Sequence, residues 1–541
     1  MDSSKQISLW AVLIGVLIAA LYGQFLHNPI VFDDLQFFLL DNDGHSAIEQ
    51  FASRSLLDLR TLPYATLAWN AQLFGYELPP FRIENLMLHW LVVIALAMFV
   101  LRLYRAVLPA DRSAGENTGM ETSVLVVVSL FALHPLGVYA AGYLVQRSIV
   151  MATLFSVLAL WAYLKGCDES NKRWLWASVA LYFLATHSKE LVIMLPAVIL
   201  AMTVLVDEDW KDRLRRNWPV FTGYAVIALL TIAQIRGVLG HPYEINSVEM
   251  LDVPENAFFY SILTQCWLFF KYGFLWLLPN PGWMSVDMRE PFAQGVFSVY
   301  GVALLAYLIY GIIAFKLLLT RGRRGLLGFA LLFPWLMFAT EFSTVRIQEI
   351  FVLYRSYIWT VGGVMLLPLA LMQLNARLTI FVSVLLAATL FMVSMERLQS
   401  FAHPIVLWDD AEKLVKNRQS LPGVWRIYYN RGTAFLNAAI IDTAISDLQR
   451  SAALNPKLSA IPGNLGVAYS KIDQNELAIQ AFSRAIALDQ EQKSPPSANY
   501  YSGRAGAYEA SGQQLKAAID YEVVCLLANK GCDKAGLSRK P

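Results

Sequence analysis

Charged residues are scarce in this chain of 541 residues. They account for 16% of the sequence, whereas hydrophobic residues account for 57%, and ordinary soluble domains carry about 25% charged residues. This shortage excludes a conventional soluble protein and predicts a membrane protein. The formal net charge is only +2, so no bulk electrostatic attraction to nucleic acid is expected.

Cysteine is also scarce, with four residues in the whole chain. Their number and spacing exclude a disulfide framework and match no zinc-binding pattern. Cys525 and Cys532 lie close together in sequence. They either pair in an oxidising compartment or remain two free thiols, and the sequence leaves both alternatives open.

Apolar runs, in contrast, are abundant, and eleven of them predict membrane-spanning helices. The first, Ile7–Leu26, lacks a small-residue cleavage site and predicts an uncleaved helix, not a signal peptide. The apolar stretch 257–278 contains Lys271 and is followed by prolines, so we expect an interfacial or re-entrant helix there. The other ten runs occupy roughly residues 83–101, 121–136, 148–164, 174–186, 191–206, 217–235, 295–315, 326–340, 356–374 and 378–395.

Basic residues cluster in alternate loops between these runs. Cytoplasmic loops are rich in Lys and Arg, so the N-terminus is expected in the cytoplasm, and eleven spans keep every cluster inside. An odd number of spans places the C-terminal part of the chain on the outer side. The clusters are Arg102, Arg105 and Arg112; Lys165, Lys172 and Arg173; Lys211, Arg213, Arg215 and Arg216; and Lys316, Arg321, Arg323 and Arg324.

The sequence after residue 425 is self-similar. Gly432 and Gly466 are 34 residues apart, which is the period of tetratricopeptide repeats. A small residue follows twelve positions after each glycine, and small residues let two helices pack closely. The pattern predicts three repeats that bind a protein or peptide on a concave face, or that form a purely structural cap. The three pairs of small residues are Gly432 with Ala444, Gly466 with Ala478, and Gly506 with Ala518.

Together these patterns predict an all-α protein with three parts. Residues 1–396 form a polytopic helical membrane domain, residues 397–424 form a linker or connecting helix, and residues 425–541 form a tetratricopeptide-repeat α-solenoid.

Two adjacent carboxylates, Asp33 and Asp34, follow the first span among aromatic residues. Apolar surroundings and mutual repulsion raise the pKa of one carboxyl, which suits a general base. Other polar residues of the outer side stand at helix ends, where each can also snorkel or cap a helix. Together they predict a pocket in which Arg and Lys bind a phosphate. These residues are Arg60, His89, His134, Arg147, Lys189, Glu190, Arg346, Glu349, Tyr354 and Arg355.

Taken in order, several of these motifs resemble the animal transmembrane and tetratricopeptide-repeat O-mannosyltransferases and their bacterial relatives, which belong to the GT-C glycosyltransferases. The resemblance extends over nearly the whole chain, including a membrane domain followed by repeats. The motifs are Phe32-Asp33-Asp34; Arg60, Pro63 and Thr66 with Asn85 and His89; Leu130 to Pro135 with Arg147; and Lys189-Glu190.

The chain departs from this family at two motifs. The family's Arg-Pro-Leu reads Thr-Leu-Pro at 61–63, and its Gly-Arg-x-Glu reads Gln-Arg-Ser-Ile at 146–149, without the acid. These differences affect the identity of the acceptor and the sugar more than the fold.

The resemblance implies an inverting hexosyl- or pentosyltransferase that uses a polyprenyl-phosphate sugar. Asp33 is implied as the base that deprotonates a Ser or Thr hydroxyl, and Asp34 as the residue that orients the acceptor or a donor hydroxyl. Arg147, with Lys189 and Arg355, is implied to neutralise the lipid phosphate. The implied substrate-binding set is completed by Arg60, His89, His134 and Glu190.

No cofactor or metal is required, because cationic side chains can stabilise the leaving phosphate, although Asp33 and Asp34 can ligate a divalent ion. The expected partners are the lipid-linked sugar, membrane lipids and an exported protein bound by the repeats, but not nucleic acid. The expected location is a bacterial inner membrane with periplasmic repeats, and an endoplasmic-reticulum membrane gives the same topology.

Two alternative functions remain open from sequence. The first is a GT-C enzyme that modifies an envelope glycan or lipid. The second is a non-enzymatic membrane scaffold whose acidic loop is structural.

Overall fold

A computed structural model of the protein describes residues 3–39, 46–109, 114–237, 239, 255–347 and 349–535. Within these ranges the chain is helical and contains no β-strand, and one isolated β-bridge joins Met288 and Phe351. The predicted all-α class is confirmed for this part of the chain. The chain divides into two compact units, of which the second comprises residues 404–535 and the short segment Arg289–Pro291 among its described parts.

The long helices of the first unit coincide with the apolar runs of the sequence, and shorter helices lie between them. They are α1 (Ser3–Tyr22), α2 (Asp34–Phe38), α3 (Thr61–Phe74), α4 (Leu78–Val107), α5 (Ala114–Ala132), α6 (Leu136–Ala141), α7 (Arg147–Asp168), α8 (Lys172–Ser188), α9 (Leu195–Val206), α10 (Trp210–Arg216), α11 (Trp218–Ile235), α12 (Ala257–Leu277), α13 (Val299–Leu319), α14 (Gly322–Phe338), α15 (Val361–Leu371) and α16 (Ala376–Ser400). Short 3₁₀ helices connect them at Gly23–Phe25, Glu49–Ala52, Leu144–Gln146, Glu190–Val192, Pro281–Trp283, Ala339–Ser343 and Leu353–Tyr357.

Seven helical segments of the described residues are long and apolar enough to cross a membrane, and two shorter apolar helices accompany them. A bilayer core requires about 20 residues of helix, so a helical membrane protein is confirmed. The predicted count of eleven spans stays a prediction, as does the interfacial position of α12. The seven segments are Gln6–Phe25, Leu78–Val107, Leu144–Asp168, Trp218–Ile235, Val299–Leu319, Gly322–Ser343 and Arg377–Ser400.

Two glycines allow helices α13, α14 and α15 to approach each other closely. A Cβ atom added to Gly328 would lie 2.2 Å from the backbone nitrogen of Leu318, and one added to Gly362 would lie 2.6 Å from the carbonyl oxygen of Ala330. Small residues at such contacts are the usual means of packing helices in a membrane. This packing holds the middle of α14 between its neighbours, and the segment Ala339–Ser343 continues from the end of α14.

The second unit contains α17 (Pro404–Val415) and three helix pairs. The pairs are α18 (Val424–Asn437) with α19 (Ile441–Leu454), α20 (Ala460–Ser470) with α21 (Asn475–Glu491), and α22 (Ala498–Ala510) with α23 (Gln514–Ala528). The predicted connecting segment 397–424 therefore contains the end of α16 and all of α17. The identification of the pairs as tetratricopeptide repeats stays a prediction.

The first two pairs use the small residues expected from the sequence. A Cβ atom added to Gly432 would lie 3.0 Å from Leu448, and one added to Gly466 would lie 2.8 Å from Phe482. The prediction is wrong by one residue in the third pair, where Ala505 and Ala517 are buried together. An added Cβ on Gly506 meets no atom within 4 Å.

A recurring ion pair confirms this corrected register. The guanidinium of Arg431 donates to both carboxylate oxygens of Asp447 at 2.7 and 3.0 Å. Arg504 binds Asp520 in the same way at 2.7 and 2.8 Å, again 16 residues along the chain. Each arginine directly precedes the small residue of its helix. The offset follows from the longer connection after α21, where residues 492–497 precede the third pair.

Cys525 and Cys532 are joined by a disulfide. Of the two alternatives that the sequence leaves open, the structure therefore shows pairing. The bond ties the segment after α23 to the last turn of that helix. Beyond the bond, Lys534 donates to a carboxylate oxygen of Glu509 at 3.0 Å.

Replacing Asp520 with alanine should destabilise the α22–α23 pair. The substitution leaves the largely buried guanidinium of Arg504 without its bidentate partner, and breaking such a buried pair costs about 2–4 kcal/mol. Hydrogen exchange of the full-length protein measures this loss as faster exchange in α22 and α23. Glu491→Ala, which removes an exposed pair with Arg484, is the control and should change stability by less than about 0.5 kcal/mol. Equal hydrogen exchange of α22 and α23 in Asp520→Ala and Glu491→Ala would contradict a stabilising role of the Arg504–Asp520 ion pair.

Candidate functional site

A cavity of about 410 Å³ lies in the first unit. One part of its wall is charged and another is apolar. The charged part consists of Arg60, Lys189, Glu190, Glu341, Arg346 and Arg355. The apolar part consists of Leu59, Leu191, Ile193, Met194, Ile232, Ile235, Leu239 and Ala339. The remaining polar residues of the wall are Thr340, Ser343, Thr344 and Tyr354.

The charged residues of the wall lie at the ends of helices and in the short connections between them. Lys189 follows α8, Glu341 lies in Ala339–Ser343 after α14, and Arg355 lies in Leu353–Tyr357 before α15. Short 3₁₀ connections of this kind turn the chain tightly. They bring residues that are far apart in sequence to one cavity.

Arg60 and Glu190 form a bidentate ion pair. Arg60 Nε donates to Glu190 Oε2 at 2.9 Å, and Nη2 donates to Oε1. Arg60 has a left-handed backbone with φ of 62°, which is unusual for a residue with a Cβ atom. Its backbone N–H donates to the carbonyl of His187 at 2.8 Å, so contacts on both sides hold this conformation.

Glu341 binds two of the other cations. Its Oε2 lies 3.0 Å from Arg346 Nε and 3.1 Å from Arg355 Nη1. The other arm of Arg355 donates to Glu349 at 3.2 Å. Carboxylates therefore balance the charge of both guanidinium groups.

Lys189 differs from the three arginines of the wall. Only 8% of the residue is exposed, and Nζ donates to Gln146 Oε1 at 3.0 Å and to Ser148 Oγ at 3.3 Å. The ammonium also lies 4.7 Å from the centre of the Tyr354 ring. Among the described residues no carboxylate forms an ion pair with it. Burial, followed by the nearby charge of Arg60, lowers the pKa of Lys189 to about 7.

The acidic pair is split by the fold. Asp34 is 1% exposed, and its Oδ1 accepts from the Val145 N–H at 2.9 Å. Burial raises the pKa of Asp34 to about 7. Asp33 is half-buried, and its backbone N–H donates to Tyr143 Oη at 2.7 Å. Neither acid lines the cavity, but the Asp33 carboxylate is close enough to raise the pKa of Lys189.

Arg147 does not reach the cavity. It is 1% exposed, and four of its five N–H donors are used by the protein. Its partners are Asn85 Oδ1, Thr66 Oγ1, Glu84 Oε2 and the Phe81 carbonyl, at 2.6–3.0 Å. Arg147 thus ties α3, α4 and α7 together, and the phosphate-binding role expected for it has no support in this geometry.

The two histidines also lie outside the cavity wall. His89 is buried, with its ring nitrogens 2.6 Å from Tyr357 Oη and 3.1 Å from the Ala132 carbonyl. His134 lies 3.1 Å from the Trp276 carbonyl and accepts from the Leu136 N–H at 3.2 Å. Both contact sets hold helix ends in place.

Of the nine catalytic and substrate-binding residues implied by the resemblance, four meet at the cavity, namely Arg60, Lys189, Glu190 and Arg355. Arg346 and Tyr354, which the sequence also predicts for the pocket, line it as well, whereas Glu349 does not. Sequence reasoning missed Glu341, which ends a long apolar run and has no motif around it. It also gave no role to Gln146, which replaces the glycine of the family motif, or to Ser148, which occupies the variable position of that motif. Within the described ranges, no group of three or more His, Cys, Asp or Glu residues is arranged to hold a metal ion.

No protein-family model and no curated protein matches the chain. Among solved structures, it is similar to the crystal structure of ArnT from Cupriavidus metallidurans bound to undecaprenyl phosphate, with 13% identity and a TM-score of 0.36 over 95% of this chain and 80% of that chain. It is also similar to the APC/C hetero-tetramer Cut9-Hcn1, with 12% identity and a TM-score of 0.22 over 89% of this chain and 98% of that chain. Similarities with TM-scores this low carry no argument about function.

Lys189 should titrate near pH 7, well below its ordinary value of 10.5. Acylation by an amine-reactive reagent, followed by mass spectrometry across a pH series, measures the midpoint. Arg60→Gln should raise it, because the variant removes a nearby cation and leaves the Glu190 carboxylate uncompensated. The exposed Lys516 provides an internal reference in every sample. A midpoint near 10, or one that Arg60→Gln does not move, would contradict the described environment.

Proposed function

We propose that the protein is a membrane glycosyltransferase of the GT-C type, which transfers a sugar from a polyprenyl-phosphate donor to Ser or Thr hydroxyls of exported proteins. The observation that carries the proposal is Lys189. A buried ammonium without a carboxylate partner is costly, and an anion in the cavity relieves that cost. A lipid phosphate is such an anion.

The rest of the cavity suits the same ligand. A polyprenyl phosphate joins a charged group to a long apolar chain, and the wall joins charged residues to side chains such as Ile193, Met194 and Ile232. Burial of apolar chain against such side chains contributes about 25 cal/mol per Å². A free inorganic phosphate would leave this apolar surface unused.

The proposed reaction assigns different tasks to the acid and the cations. Asp33 takes the proton of the acceptor hydroxyl as its oxygen forms a bond to the anomeric carbon. The bond from that carbon to the phosphate oxygen breaks, and the electron pair stays on the polyprenyl phosphate. Lys189 stabilises the resulting negative charge, with Arg60 and Arg355 nearby. Direct displacement inverts the anomeric centre, and no metal ion is required for these steps.

Asp34 and Arg147 then serve as positioning residues. Asp34 accepts from the backbone at Val145, which holds the turn that carries Tyr143, and Tyr143 in turn binds the backbone of Asp33. Arg147 holds the neighbouring helices. We assign no catalytic role to His89 or His134.

The disulfide between Cys525 and Cys532 supports an outward-facing second unit, because disulfides persist in oxidising compartments. The odd span count predicted from basic loops leads to the same orientation. In this proposal the membrane is a bacterial inner membrane, and the helix pairs recruit the exported acceptor protein.

Asp33→Asn should abolish sugar transfer while leaving expression and donor binding intact, because the amide cannot take a proton. We expect a loss of at least about 100-fold, measured by mass spectrometry of exported proteins from cells with the wild type, the variant or no gene. Asp58→Asn, which lies in the same connection between α1 and α3 and is exposed, is the matched control and should retain activity. An unchanged glycoprotein profile on loss of the gene would contradict the proposal. If the protein is instead a non-enzymatic scaffold, Asp33→Asn should leave its function unchanged.

Deleting residues 425–541 should separate the two enzymatic alternatives. If the helix pairs recruit a protein acceptor, glycosylation of exported proteins is lost while the membrane part still binds the lipid donor. If the acceptor is a glycan or lipid, transfer to it persists in the shortened protein. Membrane insertion of the shortened protein is checked by protease protection. Full retention of protein glycosylation would contradict recruitment.

A further inference from the structure

Two buried side-chain oxygens in the cavity wall have no hydrogen-bond partner among the described residues. They are Glu341 Oε1 and Thr344 Oγ1. Glu341 is 1% exposed and Thr344 is 4% exposed, and both residues line the cavity. Leaving such atoms unpaired costs free energy, so each needs an explanation.

Neighbouring hydroxyls on the same segment show what a purely structural solution looks like. Thr340 Oγ1 donates to the Met337 carbonyl at 3.0 Å, and Ser343 Oγ donates to the Thr340 carbonyl at 2.7 Å. The backbone of the segment therefore satisfies its other hydroxyls. The backbone does not satisfy Glu341 Oε1 and Thr344 Oγ1, and both residues line the cavity.

The ion pairs of Glu341 determine what the unpaired oxygen can bind. Arg346 and Arg355 both approach Oε2, so they fix the carboxylate and leave Oε1 as an acceptor. An anionic group would be repelled by this oxygen, and an apolar chain would leave it unpaired. A hydroxyl group donates to it, and the Thr344 hydroxyl can donate to or accept from a second one.

We infer that Glu341 and Thr344 form the subsite for the sugar of the lipid-linked donor. Glu341 Oε1 accepts a hydrogen bond from one ring hydroxyl, and Thr344 Oγ1 binds another. Both residues line the cavity, but their unpaired oxygens are covered, so sugar binding includes movement of the side chains that cover them. The inference rests on the proposed function and adds to it the residues that distinguish a sugar-bearing lipid from the bare lipid phosphate.

The test compares lipids that differ only in the sugar. Full-length protein in nanodiscs is titrated with undecaprenyl phosphate, undecaprenyl-phosphate-glucose and undecaprenyl-phosphate-mannose, and native mass spectrometry gives each Kd. The wild type should bind at least one sugar lipid more tightly than the bare phosphate. The gain is the Kd for undecaprenyl phosphate divided by the Kd for the sugar lipid. Thr344→Val keeps the side-chain shape and both ion pairs of Glu341, and should reduce this gain about tenfold. Glu341→Gln should also reduce it.

Control variants separate the subsite from a general loss of structure. Thr344→Ser keeps the hydroxyl and should keep the gain. Thr153→Val, in α7 and outside the cavity wall, removes a buried hydroxyl that the Ile149 carbonyl already satisfies and should not change the gain. Lys189→Met should weaken all three lipids alike, because it acts on the phosphate.

The outcomes distinguish this inference from the proposed function. If the wild type binds all three lipids equally, the inference is overturned while the lipid-phosphate site stands. If Thr344→Val weakens undecaprenyl phosphate as much as the sugar lipids, Thr344 is structural and the inference again fails. If the wild type binds none of the three, the proposed function fails with it.

Discussion

The buried ammonium of Lys189 is the constraint on which the rest of the cavity depends. Neutral oxygens of Gln146 and Ser148 hold it in place, and they direct the positive charge without cancelling it. Glu190 is close enough to raise the pKa of Lys189, but its carboxylate is already engaged by Arg60. The Arg60–Glu190 pair therefore does more than balance charge, since it keeps this acid of the wall from forming an ion pair with the lysine. Low solvent exposure then makes that charge strong toward an anion.

Sequence patterns located part of this site because charges that interrupt apolar runs stand out. This signal located Arg60, Lys189, Glu190 and Arg355. It could not show the direction in which each side chain points. Arg147 and Asp34 stand out in the sequence in the same way, yet their side chains point into the protein. There Arg147 binds Glu84, and Asp34 accepts from the Val145 backbone. Glu341 was missed because a single acid at the end of an apolar run gives no periodic or motif signal. Only the folded chain shows that two arginines converge on it.

The fold was more predictable than the site. Hydropathy identified the long helices, and the 34-residue period identified the first two helix pairs. The third pair was displaced by one residue, because a period cannot resolve the register after a longer connection, whereas the packing of Ala505 on Ala517 does. The arginine and aspartate that recur 16 residues apart are visible in sequence and would have fixed the register, because a bidentate pair tolerates no shift.

Position 60 has a consequence for how this protein can change over time. Its left-handed backbone would be most relaxed with glycine, whereas the half-buried carboxylate of Glu190 requires a cation opposite it. No single natural substitution meets both demands. Glycine would leave the Glu190 carboxylate without a cation, whereas lysine would keep the backbone strain and lose the two N–H donors that bind both carboxylate oxygens. Evolutionary change at this site therefore requires replacement of both residues, and positions 60 and 190 should change together.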